Sequence, residues 1–281
     1  MAIQKNSALK RYDDKPILID TFVLSNELSQ PIVIFCHGYK GFKDWGAWDL
    51  MAKEISKAGA CFVKFNFSHN GGTLEQPIDF PDLEAFGSNN YTQELKDLDD
   101  VISWSVDHFK SNPNVDTNRI ILIGHSRGGG IVLIKANEDD RVTKVITLAG
   151  VSDYKSRFVS GDALNQWQKD GVMYITNGRT KQQMPHYYQF YQDFIDNEAR
   201  LTIKTAVTAL KKPYVIIHGT NDPTVSVDSA KTLHQWQPES QLKLIEDADH
   251  VFNTKHPWKE DKLSDALLKV SNLVINALKK E

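Results

Sequence analysis

Short apolar runs alternate with stretches of helical periodicity along most of this 281-residue chain. A run with few polar residues predicts a strand that is buried on both faces, as in a parallel sheet. The apolar runs are 17–24, 32–36, 61–67, 120–123, 145–148, 214–217 and 242–245.

The stretches between these runs carry apolar residues three and four positions apart, which is the spacing of one helix face. They predict helices at 48–58, 95–109, 131–136 and 263–278. Strands that alternate with helices pair in parallel through right-handed crossovers. The sequence therefore predicts an α/β fold, with a doubly wound sheet that carries helices on both faces.

One long interval breaks this alternation. Residues 151–212 contain no convincing buried strand, and they are rich in Tyr, Phe and Trp. A long aromatic insertion is often a lid over a functional site. We therefore predict a core formed by 1–150 and 213–281, and a cap formed by 151–212. The alternative is a structural excursion that buries its aromatic side chains in a small core of its own.

Composition narrows the possible partners. Thirty-three Lys and Arg against 36 Asp and Glu give a net charge of −3, which offers no basic surface for nucleic acid. No apolar run approaches the roughly 18 residues that a membrane helix needs, and residues 1–12 lack the apolar segment of a signal peptide. We expect a cytoplasmic protein without a nucleic-acid or membrane partner. Its oligomeric state is not indicated.

The chain has two cysteines, which are too few for a disulfide framework. Cys36 ends one predicted strand and Cys61 begins the next. If these strands are parallel neighbours, the two cysteines lie at opposite ends, about 13–16 Å apart by strand rise. That separation is too large for a disulfide bond.

Residues 124–128 read Gly-His-Ser-Arg-Gly and fit the pattern G-x-S-x-G. A buried strand precedes the pattern, and further glycines and an apolar helical run follow it. This is the context of a nucleophile elbow, in which a serine lies on a tight strand-to-helix turn. The glycines allow strand and helix to approach closely, and the helix N-terminus favours negative charge near Ser126. We predict Ser126 as a nucleophile; the alternative is a glycine-rich turn without a catalytic role.

A serine hydroxyl needs a base to take its proton and a carboxylate to orient that base. The chain order for this fold is Ser, then Asp or Glu, then His. Asp222 and His250 follow the last two predicted strands, so both should lie at the sheet edge that carries Ser126. Asp153, which follows an earlier strand, is an alternative acid. Other possible bases are His69, His125, His186 and His218.

Acyl transfer also needs N–H donors for the oxyanion. The residue after the nucleophile, Arg127, is predicted to donate one backbone N–H, and a loop after an earlier strand should donate the other. That loop reads His-Gly-Tyr-Lys-Gly at 37–41, and Tyr39 is the predicted donor. A glycine turn with no catalytic part is the alternative reading.

Aromatic residues of this loop and of the predicted cap could bind an apolar or aryl acyl group. The predicted binding residues are Phe42, Trp45, Trp167 and Tyr187; the alternative is that several of them form core. Neither an H-E-x-x-H motif nor a Cys/His cluster is present. We expect no metal and no cofactor.

Four segments together carry a resemblance to a known family. They are HGYKGFKDW at 37–45, GHSRGG at 124–129, HGTNDPTV at 218–225 and DADHVF at 247–252. With them the chain resembles α/β-hydrolase-fold serine hydrolases, among them bacterial serine aminopeptidase-like and dienelactone hydrolase-like proteins and cinnamoyl (feruloyl) esterases. The resemblance implies an eight-stranded, mostly parallel sheet with a cap inserted after the sixth strand. It also implies cleavage of carboxylic esters or, in some members, of thioesters, lactones or amides.

The predicted function is a serine hydrolase that cleaves the ester of a small, apolar or aryl substrate through an acyl-enzyme. An aminopeptidase-like amide hydrolase is one alternative, and it would need a cap carboxylate to pair with the substrate ammonium. The available carboxylates are Asp162, Asp170, Asp193, Asp196 and Glu198. A thioesterase for acyl-CoA would need lysines such as Lys40 or Lys43 to meet phosphates. A hydrolase fold that only binds a ligand is the remaining alternative.

Overall fold

The computed structural model of the chain describes residues 1–12, 14–25 and 29–279. Ten strands lie within these residues. They are β1 (Ala2–Leu9), β2 (Ile17–Val23), β3 (Gln30–Cys36), β4 (Cys61–Phe65), β5 (Val115–His125), β6 (Val142–Leu148), β7 (Val172–Thr176), β8 (Gln183–Tyr187), β9 (Tyr214–Gly219) and β10 (Gln241–Ile245).

The same residues form ten α-helices and a 3₁₀ turn at Lys155–Arg157. The helices are α1 (Trp48–Lys57), α2 (Leu83–Ser88), α3 (Tyr91–Phe109), α4 (Arg127–Glu138), α5 (Asp162–Asp170), α6 (Gln189–Asp196), α7 (Glu198–Leu201), α8 (Ile203–Ala209), α9 (Val227–Trp236) and α10 (Asp265–Lys279). Among the helices described, none combines the length and the apolar character needed to cross a membrane.

Eight strands form one sheet in the order β1-β2-β4-β3-β5-β6-β9-β10. The pairs from β4 to β10 are parallel, whereas β2 is antiparallel to β4 and β1 is antiparallel to β2. The predicted α/β fold is therefore confirmed. Strand β1 was not predicted because most of its residues are exposed at the sheet edge and carry no apolar pattern.

Side chains of the buried strands point alternately into two helical layers. In β3, Ile32 and Ile34 pack into the layer formed with α3 and α4, while Val33 and Phe35 pack into the layer formed with α1 and α10. Both faces of the sheet are thus covered, which explains why the strand sequences are continuously apolar. The carboxyl ends of β3, β5, β9 and β10 lie along one edge, where open α/β sheets bind ligands.

The chain between β6 and β9 contains the 3₁₀ turn, helices α5 to α8 and the two-stranded antiparallel sheet β7-β8. Its aromatic side chains do not form a separate core. Trp167, Phe190 and Phe194 belong to the same cluster of buried residues as the strands and helices α3 and α4. The ring of Phe190 lies 4.9 Å from that of Tyr91 on α3, between ring centroids.

The two cysteines are both buried and free. The parallel register of β3 and β4 pairs Cys61 with Ile32, which lies four residues before Cys36. At the usual rise per residue the two cysteines are about 13 Å apart along the strands. This is the arrangement expected from the sequence.

Glycines set the distance between β5, α4 and the end of β3. A Cβ on Gly124 would lie 2.2 Å from the carbonyl oxygen of Gly128, and a Cβ on Gly128 would lie 2.6 Å from that of His37. Real Cβ atoms do not approach a backbone oxygen so closely, and backbone cannot move away as a flexible side chain can. Strand β5, helix α4 and the end of β3 can therefore approach this closely only because residues 124 and 128 are glycines.

We expect Gly124→Ala to lower the free energy of unfolding by more than about 3 kcal/mol, because its methyl group overlaps the backbone of α4. Urea unfolding monitored by circular dichroism measures the change. Gly178→Ala is the matched control, since a Cβ there meets nothing within 4 Å. A Gly124→Ala variant as stable as the control would contradict this packing.

Candidate active site

Ser126 lies between the end of β5 and the start of α4, with φ 55° and ψ −119°. A non-glycine residue in this region costs on the order of 1–3 kcal/mol, which the surrounding structure must offset. Backbone hydrogen bonds hold the turn: the Ser126 N–H donates to Leu148 O at 2.9 Å, and the Ser126 carbonyl accepts from Gly129 N at 2.9 Å and Val151 N at 3.2 Å. The side chain consequently faces the cavity described below, at the N-terminus of α4.

The structure brings Ser126, His250 and Asp222 into one chain of hydrogen bonds. His250 Nε2 lies 2.9 Å from Ser126 Oγ, and His250 Nδ1 lies 2.7 Å from Asp222 Oδ2. With a neutral imidazole, Nδ1–H donates to the carboxylate and Nε2 accepts from the serine hydroxyl. This tautomer allows the imidazole to remove the proton of Ser126.

Asp222 is held as an anion. Its Oδ1 accepts from the backbone N–H of Thr224 at 2.8 Å and of Val225 at 2.9 Å, and His218 Nε2 lies 3.3 Å from its Oδ2. Burial alone would raise the pKa of Asp222, but the hydrogen bonds from His218, His250 and the Val225 amide outweigh it and hold the pKa well below its ordinary value. His218, one of the alternative bases, thus lies against the carboxylate and not against Ser126.

His125 supports the loop that carries His250. Its Nε2–H donates to the carbonyl oxygen of His250 at 2.9 Å, and its ring lies 5.1 Å from Trp48 and 4.8 Å from the His250 ring, between centroids. Burial lowers the pKa of His125 to about 3, so the ring is neutral near pH 7. Its Nε2–H is bonded to the His250 carbonyl, so this alternative base does not contact the Ser126 hydroxyl.

Asp153, the alternative acid, and His69, one of the alternative bases, lie outside the cavity that contains Ser126. Asp153 is exposed and accepts from the backbone N–H groups of Lys155 and Ser156 at 3.1 and 2.7 Å, so it stabilises the 3₁₀ turn. His69 Nδ1 lies 2.7 Å from the hydroxyl of Ser68. Neither residue lines the cavity that contains Ser126.

The loop after β3 lies directly against Ser126. A Cβ on Gly38 would be 2.8 Å from the Cβ of Ser126. Within the described part of the chain, the backbone N–H groups of Tyr39 and Arg127 donate to no other protein group. His37 orders the loop: its Nδ1–H donates to Gly38 O at 2.9 Å, and its Nε2 accepts from the Phe67 N–H at 3.2 Å. Both amides are therefore free to bind an oxygen of a ligand.

A hydrogen bond joins this loop to the segment between β6 and β9. The Tyr39 hydroxyl donates to His186 Nε2 at 2.8 Å, and His186 Nδ1–H donates to Met184 O at 3.2 Å. Burial lowers the pKa of His186 to about 4 and raises the pKa of Tyr39 to about 12. Both groups are neutral near pH 7, as this pairing requires.

The Arg127 side chain has a role that sequence reasoning missed. Its Nε donates to Glu94 Oε2 at 3.2 Å, and its Nη2 lies 3.0 Å from Glu94 Oε1. The guanidinium carbon lies 4.6 Å from the ring centroid of Tyr91 and 4.9 Å from that of Phe190. This buried pair ties the first residue of α4 to α3 and to α6. No local motif could have revealed it, because the partners are 33 positions apart.

Ser126 and His250 open into a cavity of about 410 Å³, and a second cavity of about 140 Å³ lies beside the loop after β3. Of the four predicted binding residues, Trp167 lines the larger cavity and Trp45 the smaller one. Phe42 lines neither, because it is fully buried against Phe80. Tyr187 also lies outside both, with its ring against Gly87 and its hydroxyl bonded to Glu84. Aromatic composition alone could not distinguish core positions from cavity walls.

Three carboxylates of the described residues, Asp20, Asp44 and Asp49, have oxygens within 4.8 Å of one another. The spacing would suit a metal ion, but lysines already occupy it. Lys64 Nζ lies 2.9 Å from Asp20 and 3.1 Å from Asp49, and Lys43 Nζ lies 2.9 Å from Asp20. The group is a partly buried ion-pair network, and none of its residues lines the cavity that holds Ser126.

Three buried histidines near Ser126 make stability depend on pH. Burial lowers the pKa of His37 and His186 to about 4 and that of His125 to about 3, from an ordinary value of 6.5. Below pH 6.5 these three histidines therefore bind more protons in the unfolded chain than in the folded chain. We expect the free energy of unfolding to fall between pH 7 and 4.5, by about 1.4 kcal/mol per pH unit for each proton taken up.

Urea unfolding at several pH values measures this slope. His186→Gln should reduce it, because glutamine keeps a donor and an acceptor but does not titrate. His108→Gln, which changes an exposed histidine, should leave it unchanged. Stability that rises as the pH falls through this range would contradict the account.

Comparison with known proteins assigns the chain to a family. Residues 84–267, more than half of the sequence, match the family model described as the prolyl oligopeptidase family. The quorum-quenching protein AidA of Acinetobacter baumannii is 26% identical over 141 residues, which are 50% of this chain and 41% of AidA. The uncharacterized peptidase YtmA of Bacillus subtilis is 26% identical over 137 residues, which are 48% of this chain and 46% of YtmA. The matched part of the chain thus spans less than half the length of these relatives.

Solved structures show the same fold over nearly the whole chain. Est1E from Butyrivibrio proteoclasticus superposes with a TM-score of 0.67 at 15% identity and covers 98% of both chains. A dienelactone hydrolase from Anabaena variabilis gives 0.62 at 16% identity and covers 98% of this chain and 96% of its own. The chain therefore has the α/β-hydrolase fold, which confirms the fold that the resemblance in the sequence implies. Within that class, the chain belongs to the prolyl oligopeptidase family.

Proposed function

We propose that this hydrolase is a serine esterase that cleaves a carboxylic ester of a small substrate through an acyl-enzyme. The observation that supports the proposal most strongly is the hydrogen-bonded chain from Asp222 through His250 to Ser126, at the wall of the larger cavity. Each member supplies what the next one needs: a fixed anion orients a neutral imidazole, which accepts the proton of a serine hydroxyl.

In the first half of the reaction, Ser126 Oγ attacks the ester carbonyl carbon while His250 Nε2 takes its proton. The backbone N–H groups of Tyr39 and Arg127 bind the oxyanion of the tetrahedral intermediate. The bond to the alcohol then breaks, and His250 passes its proton to the departing oxygen. In the second half, water attacks the acyl-serine as His250 takes a proton from it. Release of the acid returns that proton to Ser126.

The segment 151–212 would act as a cap in this reaction. It contributes Trp167, Phe158 and Phe190 to the wall of the larger cavity, where an apolar or aryl acyl group can pack. It also contributes His186, which is bonded to Tyr39 in the proposed oxyanion loop. The relative Est1E has been observed with ferulic acid bound, which is an aryl acid. An aryl acyl group is accordingly among the substrates to test first.

An amide hydrolase is the second candidate, since the family and the relative YtmA are both named for peptidases. An aminopeptidase would need a carboxylate for the substrate ammonium. None of the five candidate carboxylates of the cap lines the larger cavity. Lys43, considered for a thioesterase, is fully buried against Asp20 and Asp44. The placement of the cap carboxylates favours an ester substrate over a free peptide N-terminus, whereas Lys40, the other lysine considered for a thioesterase, lines the larger cavity.

Comparison of kcat/KM for short acyl and aryl 4-nitrophenyl esters with that for aminoacyl 4-nitroanilides tests the choice. The proposal predicts higher values for the esters, and Ser126→Ala should abolish turnover while the chain stays folded. Aminoacyl anilides as the better substrates would overturn the ester assignment. Ester turnover that survives Ser126→Ala would overturn the nucleophile.

Asp222→Asn should lower kcat by about 10³–10⁴-fold, because an amide favours the wrong imidazole tautomer and cannot stabilise the imidazolium. Asp153→Asn is the matched control, since it makes the same change at the alternative acid and should leave kcat near the wild-type value. Steady-state kinetics with a 4-nitrophenyl ester measure both. A large loss of kcat in Asp153→Asn together with a near wild-type kcat in Asp222→Asn would reassign the acid to Asp153.

A further inference from the structure

The Lys, Arg, Asp and Glu side chains among the described residues that line the larger cavity are all cationic. Three cationic side chains line it, those of Lys40, Arg127 and Arg157, together with aromatic rings and the candidate catalytic pair Ser126 and His250. No Asp or Glu is among the described residues that line it. A cavity wall with cations and no carboxylate favours a ligand that brings negative charge of its own.

One of the three cations is already neutralised. Arg127 forms the ion pair with Glu94 described above, and its guanidinium packs against the rings of Tyr91 and Phe190. This pair lies at the cavity wall but leaves no net charge there. The charge available to a ligand comes from the other two side chains.

Lys40 is the first of these. It is half-buried, and within the described chain its ammonium has no hydrogen bond or carboxylate partner; its Nζ lies 5.0 Å from the ring centroid of Tyr39. Burial without a partner lowers its pKa. It directly follows Tyr39, one of the two proposed oxyanion donors, so its side chain begins beside the reacting carbonyl. A ligand anion would supply the partner that the protein does not.

Arg157 is the second cation of the cavity wall that is available to a ligand. It is an exposed residue on the 3₁₀ turn, and its side chain makes no ion pair or hydrogen bond among the residues that the structure describes. The carboxylate of Asp153, in the same turn, accepts instead from backbone N–H groups. Lys155, two residues before, provides a contrast: its ammonium lies 2.7 Å from Glu198 and does not line the cavity.

We propose that the substrates are anionic esters, specifically monoesters of dicarboxylic acids, whose free carboxylate binds the unpaired cations Lys40 and Arg157. The acyl chain lies along the aromatic wall, with the ester carbonyl at Ser126. This inference rests on the proposed esterase function and names its substrate class. The same two cations disfavour a substrate with an ammonium group beside the scissile bond.

Two probes with the same six-carbon acyl chain test the proposal: 4-nitrophenyl hydrogen adipate, which carries a free carboxylate, and 4-nitrophenyl hexanoate, which does not. We expect the wild-type kcat/KM to be at least about tenfold higher for the adipate ester, as for a charge-assisted contact in a partly buried site. The ratio should fall towards one in the double variant Lys40→Gln/Arg157→Gln. It should also fall as sodium chloride is raised from about 20 to 500 mM.

Lys155→Gln is the matched control, because it removes the same charge from the same turn but from a side chain outside the cavity. It should keep the wild-type ratio. Equal or higher kcat/KM for hexanoate in the wild type, with turnover that depends on Ser126, overturns the anionic substrate class alone. An equal loss of the ratio in Lys155→Gln also overturns it. Failure to hydrolyse either ester overturns the esterase function on which the inference rests.

Discussion

The close approach of three backbone segments at glycines is the constraint on which the rest of the site depends. Gly38, Gly124 and Gly128 let the loop after β3, the end of β5 and the start of α4 meet at distances that no Cβ permits. That approach imposes the positive φ of Ser126 and leaves two backbone N–H groups free beside its side chain. The strain at one residue is offset by the backbone hydrogen bonds around it and by the buried strands below.

Around this elbow, most of the buried charged groups among the described residues have a partner. Asp222 accepts from two backbone amides and from His250, His125 is bonded to the carbonyl of His250, and Arg127 is paired with Glu94. Such groups are costly to bury alone, so satisfied networks fix one arrangement of the loops. Lys40 and Arg157 depart from this pattern, and both face the cavity in which the proposed substrate binds.

Local signals were sufficient to predict much of this arrangement. Ser126, Asp222 and His250 each follow a buried strand, and parallel strands end at one edge, so their proximity follows from topology. Contacts between distant segments were not predictable in the same way. The Tyr39–His186 bond spans 147 positions, and its partners show no pattern in the sequence. Phe42 was predicted to bind substrate because aromatic residues suit both cores and cavities, and only packing decides between them.

The central claim is that this glycine-lined turn presents Ser126 as an activated nucleophile. Reaction of the folded protein with a fluorophosphonate, followed by mass mapping of peptides, tests it most directly. The account predicts one adduct per chain, on the peptide that contains Ser126, and none after unfolding in urea, because activation requires His250 at 2.9 Å from the hydroxyl. An unmodified folded chain, or an adduct on a different side chain, would contradict it.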